Sequence, residues 1–282
     1  MRDWKRYEEA KRLRDTGLTL KATGAAPGVW KAPGGQTLAT FVINLERSPE
    51  RLRAMGERLD ALGLPWQRIV AVDGPALPAW PSGSVDEAGY ARWHGKPVAA
   101  GEVGCYLSHL KALRVFLDTG ASHLLLLEDD ALPGPACRAV VEALLEAGGR
   151  WDLVKLSGFH RGSPATVMPL VAGFVLAVPF SRQGNTAALM FNRQAAAAAV
   201  RALEPMRLPY DHALERPWAF GQRLRLRIVT PSPVQAQDGS PSTISSGRTQ
   251  KFGWAQRLPT HAFRLRNESR RLAWALGQWL RR

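Results

Sequence analysis

His123-Leu124-Leu125-Leu126-Leu127-Glu128-Asp129-Asp130 reads as an apolar strand running without a spacer into three carboxylates. Four consecutive leucines leave no polar face, the pattern of a strand covered on both sides inside a helix-flanked sheet. The C-terminal end of such a strand is where open α/β sheets bind ligands. Side chains two apart on an extended chain point the same way, so Glu128 and Asp130 approach one ligand together while Asp129 faces the other side. Hard oxygen donors suit Mg²⁺ or Mn²⁺, ions that keep open positions for phosphate oxygens and can stabilise a departing nucleoside diphosphate. A solvated turn or a helix cap accounts equally well for Glu-Asp-Asp taken alone.

The flanking sequence alternates strand and helix, which predicts an α/β domain with a mainly parallel sheet. Upstream, Phe41-Val42-Ile43-Asn44-Leu45 is a short strand, and Ser48 with Pro49 starts a helix carrying Leu52, Met55, Leu59 and Leu62 at helical spacing. Trp66 to Val72 gives a second strand ending at Asp73-Gly74, and the Pro/Gly-rich stretch from Pro75 to Gly101 reads as a long loop. Glu102 to Asp118 reads as the helix feeding the leucine strand. Downstream, Pro135–Ala147 and Arg193–Leu203 read as helices, and Trp151–Leu156, Gly173–Val178 and Ala187–Phe191 as strands. Arg223-Leu224-Arg225-Leu226-Arg227-Ile228 alternates with period two, so it is expected as a strand near a sheet edge with three arginines on one face.

Composition divides the chain into three parts: a basic N-terminal extension over 1–36, expected to be mobile, a domain over 37–247, and a basic, Trp-containing tail over 248–282. A formal charge of +14 implies attraction to something anionic: nucleic acid, an acidic membrane face or a phosphorylated substrate. Cys105 and Cys137 lack paired metal-ligand spacing and are expected as buried free thiols. No apolar run approaches the ~20 residues that cross a bilayer, and the N-terminus leads into charge, so a cytoplasmic location is expected. In the tail, Leu265, Leu272, Leu276 and Trp279 share one helical face, with Phe263 and Trp274 on the polar side. Such a helix suits either an anionic lipid surface on the inner face of the cytoplasmic membrane or packing on the domain.

Several short pieces, taken in order, resemble glycosyltransferase family 25: Phe41–Leu45 with Arg47, Glu50 and Arg51; Ala71-Val72-Asp73-Gly74; Gly101-Glu102-Val103-Gly104-Cys105-Tyr106-Leu107-Ser108-His109; Leu126–Asp130; and Asp152–Leu156. Later pieces extend the resemblance to about Ser246: Pro209-Tyr210-Asp211, Pro231–Gln235 and Ser242-Thr243-Ile244. The resemblance implies a GT-A fold, a nucleotide-sugar donor, commonly UDP-galactose, and inversion at the anomeric carbon.

On this basis Asp130 is expected to contact a divalent metal, Mn²⁺ or Mg²⁺, with Glu128 beside it; Glu128 and Asp129 are alternatives for the metal or the donor ribose. Asn44, Arg47 and Arg51 stand where the first strand gives way to its helix, the usual place for a nucleotide, although Arg51 also suits an exposed helix face. Asp73 and Ser108 belong to the substrate-binding motifs. His109 either contacts the donor or orients a carboxylate, and Lys155 is a phosphate contact or a residue at a sheet margin. Asp211 is the candidate base, with Glu215 and Asp238 as alternatives and helix capping as its other role. Gln235 and Gln237 to Thr243 read as a segment closing over the donor, or as a polar linker. The expected function is an inverting transfer of a hexose, galactose foremost, from a nucleotide-sugar donor to a glycan or glycolipid acceptor such as lipopolysaccharide core. The alternatives are a glucosyl or other hexosyl transferase of the same fold, or a non-catalytic basic protein binding membrane or nucleic acid. No specific nucleic acid partner is expected.

Overall fold

The computed structural model describes residues 29–32, 34–158, 164–171, 173–236 and 252–282. Most of the N-terminal extension and the segment containing Gln237, Asp238, Ser242, Thr243 and Ile244 lie outside these residues.

The leucine strand decides the layering. It forms β4 (His123–Glu128) beside β2 (Thr37–Asn44), with Phe41 opposite Leu126 and Ile43 opposite Glu128. Leu124 and Leu126 face one core with Phe41 and Ile43, beneath α3 (Ala100–Asp118) and α5 (Arg193–Ala202). Leu125 and Leu127 face a second core with Leu38 and Val42, beneath α1 (Pro49–Ala61) and α4 (Cys137–Glu146). All four leucines are inaccessible to solvent because helices cover both faces, which is why no polar residue interrupts the run.

Around this pair the described residues form a nine-stranded sheet. β2 shares its other edge between β1 (Val29–Lys31), antiparallel, and β3 (Gln67–Val70), parallel. Beyond β4 come β9 (Ala188–Asn192), β6 (Leu153–Lys155), β10 (Leu226–Thr230), β8 (Val175–Val178) and β7 (Ala165–Pro169). β5 (Ala131–Pro133) pairs separately with β11 (Val234–Ala236).

Four expectations need correction. The sheet is mixed, not mainly parallel: β9 runs antiparallel to both β4 and β6, and β8 antiparallel to β10. Apolar alternation carries no direction, so the sequence could not reveal the reversal. The arginine-alternating strand is interior, between β6 and β8. Two of its arginines find partners: Arg225 pairs with Asp152 at 2.8 Å, and buried Arg227 donates to Gln278 Oε1 at 3.0 Å. The stretch from Pro75 to Gly101 is not all loop, since it holds α2 (Glu87–His94), capped by Asp86 and closed by Gly95 at φ 82°. The ordered sheet also starts earlier than residue 37, because β1 lies within the expected extension.

Two family-like motifs fit each other through glycine. A Cβ on Gly104 would sit 2.6 Å from both the Gly74 nitrogen and the Val72 oxygen, so the start of α3 touches the Asp73-Gly74 backbone directly. Ser108 Oγ reinforces the contact, accepting from Val72 N at 2.8 Å and donating to Gly104 O at 2.6 Å. Both obstructing groups are backbone and cannot rotate away. Gly104→Ala is therefore expected to cost about 1–3 kcal/mol in urea unfolding, the usual penalty of overpacking. A loss under about 0.5 kcal/mol, no more than a neutral surface change gives, would show that the contact is slack.

The short α6 (Tyr210–Leu214) and the long α7 (Leu258–Leu280) are the last two α-helices among the described residues. The side of α7 bearing Phe263 and Trp274, expected to be polar, is the packed side. Phe263 stacks on Trp93 at 5.1 Å, while Leu265, Leu272 and Leu276 are exposed.

Candidate active site

Three parallel strands, β3, β2 and β4, end together, and their C-terminal ends supply the acidic rim. Strand parity sorts the carboxylates. Glu128 continues the Leu124–Leu126 side and meets α3: His109 Nε2 lies 2.9 Å from its Oε1, which also accepts from Thr186 Oγ1 at 2.8 Å. Asp129 continues the opposite side and meets the α1 side. Its Oδ2 accepts from Asn44 Nδ2 at 2.7 Å, and Arg51 Nη1 lies 3.6 Å from Oδ1. Asn44 Nδ2 also donates to Ser48 O at 2.8 Å, so the amide ties the strand end to the start of α1. Ser48 begins this helix without a side-chain capping bond.

Asp130 differs from its neighbours: among the described residues no side chain pairs with its carboxylate. Burial, then the charges of Glu128 and Asp129, push its pKa up to about 6. Burial acts on Glu128 in the same direction, but the hydrogen bonds from His109 and Thr186 and the charge of Lys155 prevail and hold it below the usual carboxylate value. Asp129 is raised, again chiefly by burial, with Asn44 and Arg51 opposing. The rim therefore presents one held carboxylate on each side and one proton-hungry carboxylate without a partner. Crowded negative charge of this kind favours a cation.

Asp211, in the first turn of α6, reaches the same neighbourhood. Its neighbour Tyr210 stacks on the His109 ring at 4.2 Å. The thiol of Cys105 is raised well above its usual value by burial and then by the charges of Glu128, Asp211, Asp130 and Glu102. Asp211 Oδ1 accepts from His212 N at 2.8 Å. The sulfur of Cys105, His109 and Glu128 also offer ligand atoms lying within 4.8 Å of one another. Of the two cysteines, Cys137 is buried and Cys105 half-buried; both are free.

The remaining expected residues are placed as follows. Arg47 forms an ion pair with Asp73 beside the rim, leaving Asp73 Oδ1 buried and without a hydrogen-bond partner among the described residues. Asn44 Oδ1 is orphaned in the same way, so two acceptors stand open where β2 and β3 end. Ser108 and His109 are buried, and both Ser108 hydrogen bonds go to backbone. Lys155 lies away from any sheet margin, fully buried, paired with Glu215 and donating to Gly184 O at 2.6 Å. Glu215 also receives Gln183 N at 2.9 Å and stands 3.6 Å from Arg271 of α7. That network occupies Glu215, one of the alternative bases. Gln235 is exposed on β11, whose partner β5 directly follows the acids.

Thr186, Tyr210 and Cys105 are not among the site residues expected from the sequence. Cys105 had a visible signal, standing four residues before His109 on one helix face. Thr186 had none, because only the reversed direction of β9 brings it to Glu128.

Residues 37–160 match a family described as "Glycosyltransferase family 25 (LPS biosynthesis protein)". Proteins of Aedes aegypti and Anopheles gambiae, each named "Glycosyltransferase 25 family member", are 35% identical over 121 residues, covering 40% of this chain and 20% of each relative. "Procollagen galactosyltransferase 1" of Danio rerio is 38% identical over 98 residues, covering 32% of this chain and 16% of the relative. The chain thus spans about a fifth of the length of the curated relatives it matches. The family match includes the acidic rim, Asn44, Arg47, Arg51, Asp73, Ser108, His109 and Lys155. It stops before Asp211 and Gln235, so the part of the expected resemblance beyond residue 160 stands outside it.

Proposed function

We propose, from the match of residues 37–160 to glycosyltransferase family 25, that the chain is a metal-dependent hexosyltransferase of the GT-A kind. It takes a nucleotide sugar, UDP-galactose foremost, and transfers the sugar with inversion to a surface-glycan acceptor such as lipopolysaccharide core. The galactose assignment draws on the name of the Danio rerio relative, and the acceptor on the family description. The observation that carries the proposal is Asp130, without a side-chain partner just past the end of a buried strand, beside two carboxylates that are each held.

Asp130 and Glu128 are oxygen donors whose crowding fits Mg²⁺ or Mn²⁺. When bound there, the divalent cation would supply charge neutralisation for the departing diphosphate. His109 and Thr186 fix the Glu128 carboxylate, and Asn44 and Arg51 fix Asp129. The open acceptors Asn44 Oδ1 and Asp73 Oδ1 suit N–H and O–H groups of a nucleoside, with Arg47 and Arg51 providing positive charge nearby. Asp211 is the base: it takes the proton of the acceptor hydroxyl as that oxygen bonds to the anomeric carbon and the bond to the diphosphate oxygen breaks.

The test is a screen of UDP-sugars with Mn²⁺ or Mg²⁺ for release of nucleoside diphosphate, alongside the melting temperature. A donor at about 100 times its Kd should stabilise the fold by about 2.7 kcal/mol. An unchanged melting temperature and no diphosphate release with any UDP-sugar would remove the proposal.

A further inference from the structure

Helix α7 has two apolar sides, and the fold uses one. On the packed side Thr260 Oγ1 donates to Arg92 O at 2.9 Å, Phe263 lies flat on Trp93, and buried Arg271 donates to Glu215 O at 3.2 Å. On the other side Leu258, Leu265, Leu272, Leu276 and Leu280 are 48–73% exposed. At 3.6 residues per turn these five leucines fall within an arc of about 80°. They form one row along the whole helix, and a row of large exposed aliphatics on a folded protein marks a surface that meets something.

Charge identifies what it meets. Arg266 and Arg270 are exposed along one border of the row, and Arg281 and Arg282 are exposed at its end. The only acid in the helix, Glu268, lies 3.1 Å from Arg271. Trp254, 73% exposed, precedes the helix. A second copy is a poor occupant, because two such helices would oppose arginine rows with no free acid to pair them. The positions that would complete a coiled-coil seam beside the leucines hold His261 and Glu268 on one side and Ala262 and Ser269 on the other.

We propose that the leucine face of α7 docks on an anionic lipid bilayer, the helix lying in the interface with its arginines at the headgroups. No helix among the described residues is long and apolar enough to cross a membrane, so α7 lies on the bilayer. The Trp93–Phe263 stack and the Arg271 bonds keep the α/β body attached to the helix while its outer face is engaged. This inference is independent of the sugar chemistry.

The full chain should co-sediment with vesicles of phosphatidylcholine and phosphatidylglycerol, less with phosphatidylcholine alone, and less again at high salt. Leu265→Ser with Leu272→Ser should weaken binding by more than about tenfold, given two aliphatic side chains withdrawn from the interface. The melting temperature and nucleoside-diphosphate release should stay unchanged, because these leucines support no internal packing. Arg266→Glu with Arg270→Glu should abolish the preference for phosphatidylglycerol. Binding unaffected by the leucine changes would overturn the proposal. So would a failure of the full chain to bind anionic vesicles, or a dimer in light scattering that the leucine changes dissociate.

Discussion

Asp130→Asn is expected to abolish sugar transfer and at the same time to raise the melting temperature of the metal-free protein above about pH 6. The activity loss follows from the proposed role: a carboxylate holding a cation against a leaving diphosphate contributes several kcal/mol to the transition state, so the rate should fall by about two to three orders of magnitude or more. The stability gain follows from electrostatics. The folded protein raises this carboxyl from the ordinary 3.8 to about 6, through burial and then the charges of Glu128 and Asp129. Between those values the folded state binds more proton than the unfolded chain, so stability falls as pH rises, and above about 6 the whole penalty is present. Asparagine removes the charge and with it the penalty. Melting curves of both proteins at pH 5 and at pH 8, in chelator, separate the effects: the variant's advantage should be larger at the higher pH. A variant that transfers sugar at the normal rate would remove Asp130 from the metal site, and one destabilised equally at both values would show the carboxylate to be structural.

Glu215→Ala should produce the largest loss of stability, about 3–5 kcal/mol in urea unfolding, because it leaves buried Lys155 without its counter-charge and Arg271 with half-exposed Glu268 alone. Two cations pair with it: Lys155 from β6 and Arg271 from α7, each no more than 2% exposed. Lys155→Met should be milder, since Glu215 keeps Arg271 and the backbone donor of Gln183. The order of the two effects is the decisive result. If Lys155→Met were the more damaging, the hub would be the lysine and its bond to Gly184 O, not the carboxylate.

The sequence made the rim legible and much of its surroundings obscure. The parity of Leu124 to Leu127 already separates Asp129 from Glu128, and the structure sets Asp129 against Arg51 and Glu128 against His109. A local rule sufficed at the strand end, while Asp129 and Asp130 form a turn, where alternation does not place Asp130. Lys155 was harder: it sits in an apolar strand, and its partner Glu215 lies 60 residues away, a distance that no periodicity spans. The helix at Glu87–His94 was hidden by the prolines and glycines on either side of it. In α7 the pattern showed a leucine row but not which side packs, because Phe263 and Trp274 also form an apolar face and only tertiary contact chooses between them.

The reversed strand β9 determines who can vary the rim. In a sheet whose strands all ran one way, the residues preceding β9 would lie at the far end, roughly 15 Å off for a strand of this length. Because β9 runs backward, its incoming connection, with Gly184, Asn185 and Thr186, arrives where β4 departs, and Thr186 grips Glu128. Insertions or deletions in that incoming connection would therefore re-aim Glu128 directly while leaving the leucine strand untouched. Two segments travelling in opposite directions share custody of one carboxylate, and either can drift in evolution only as far as the other allows.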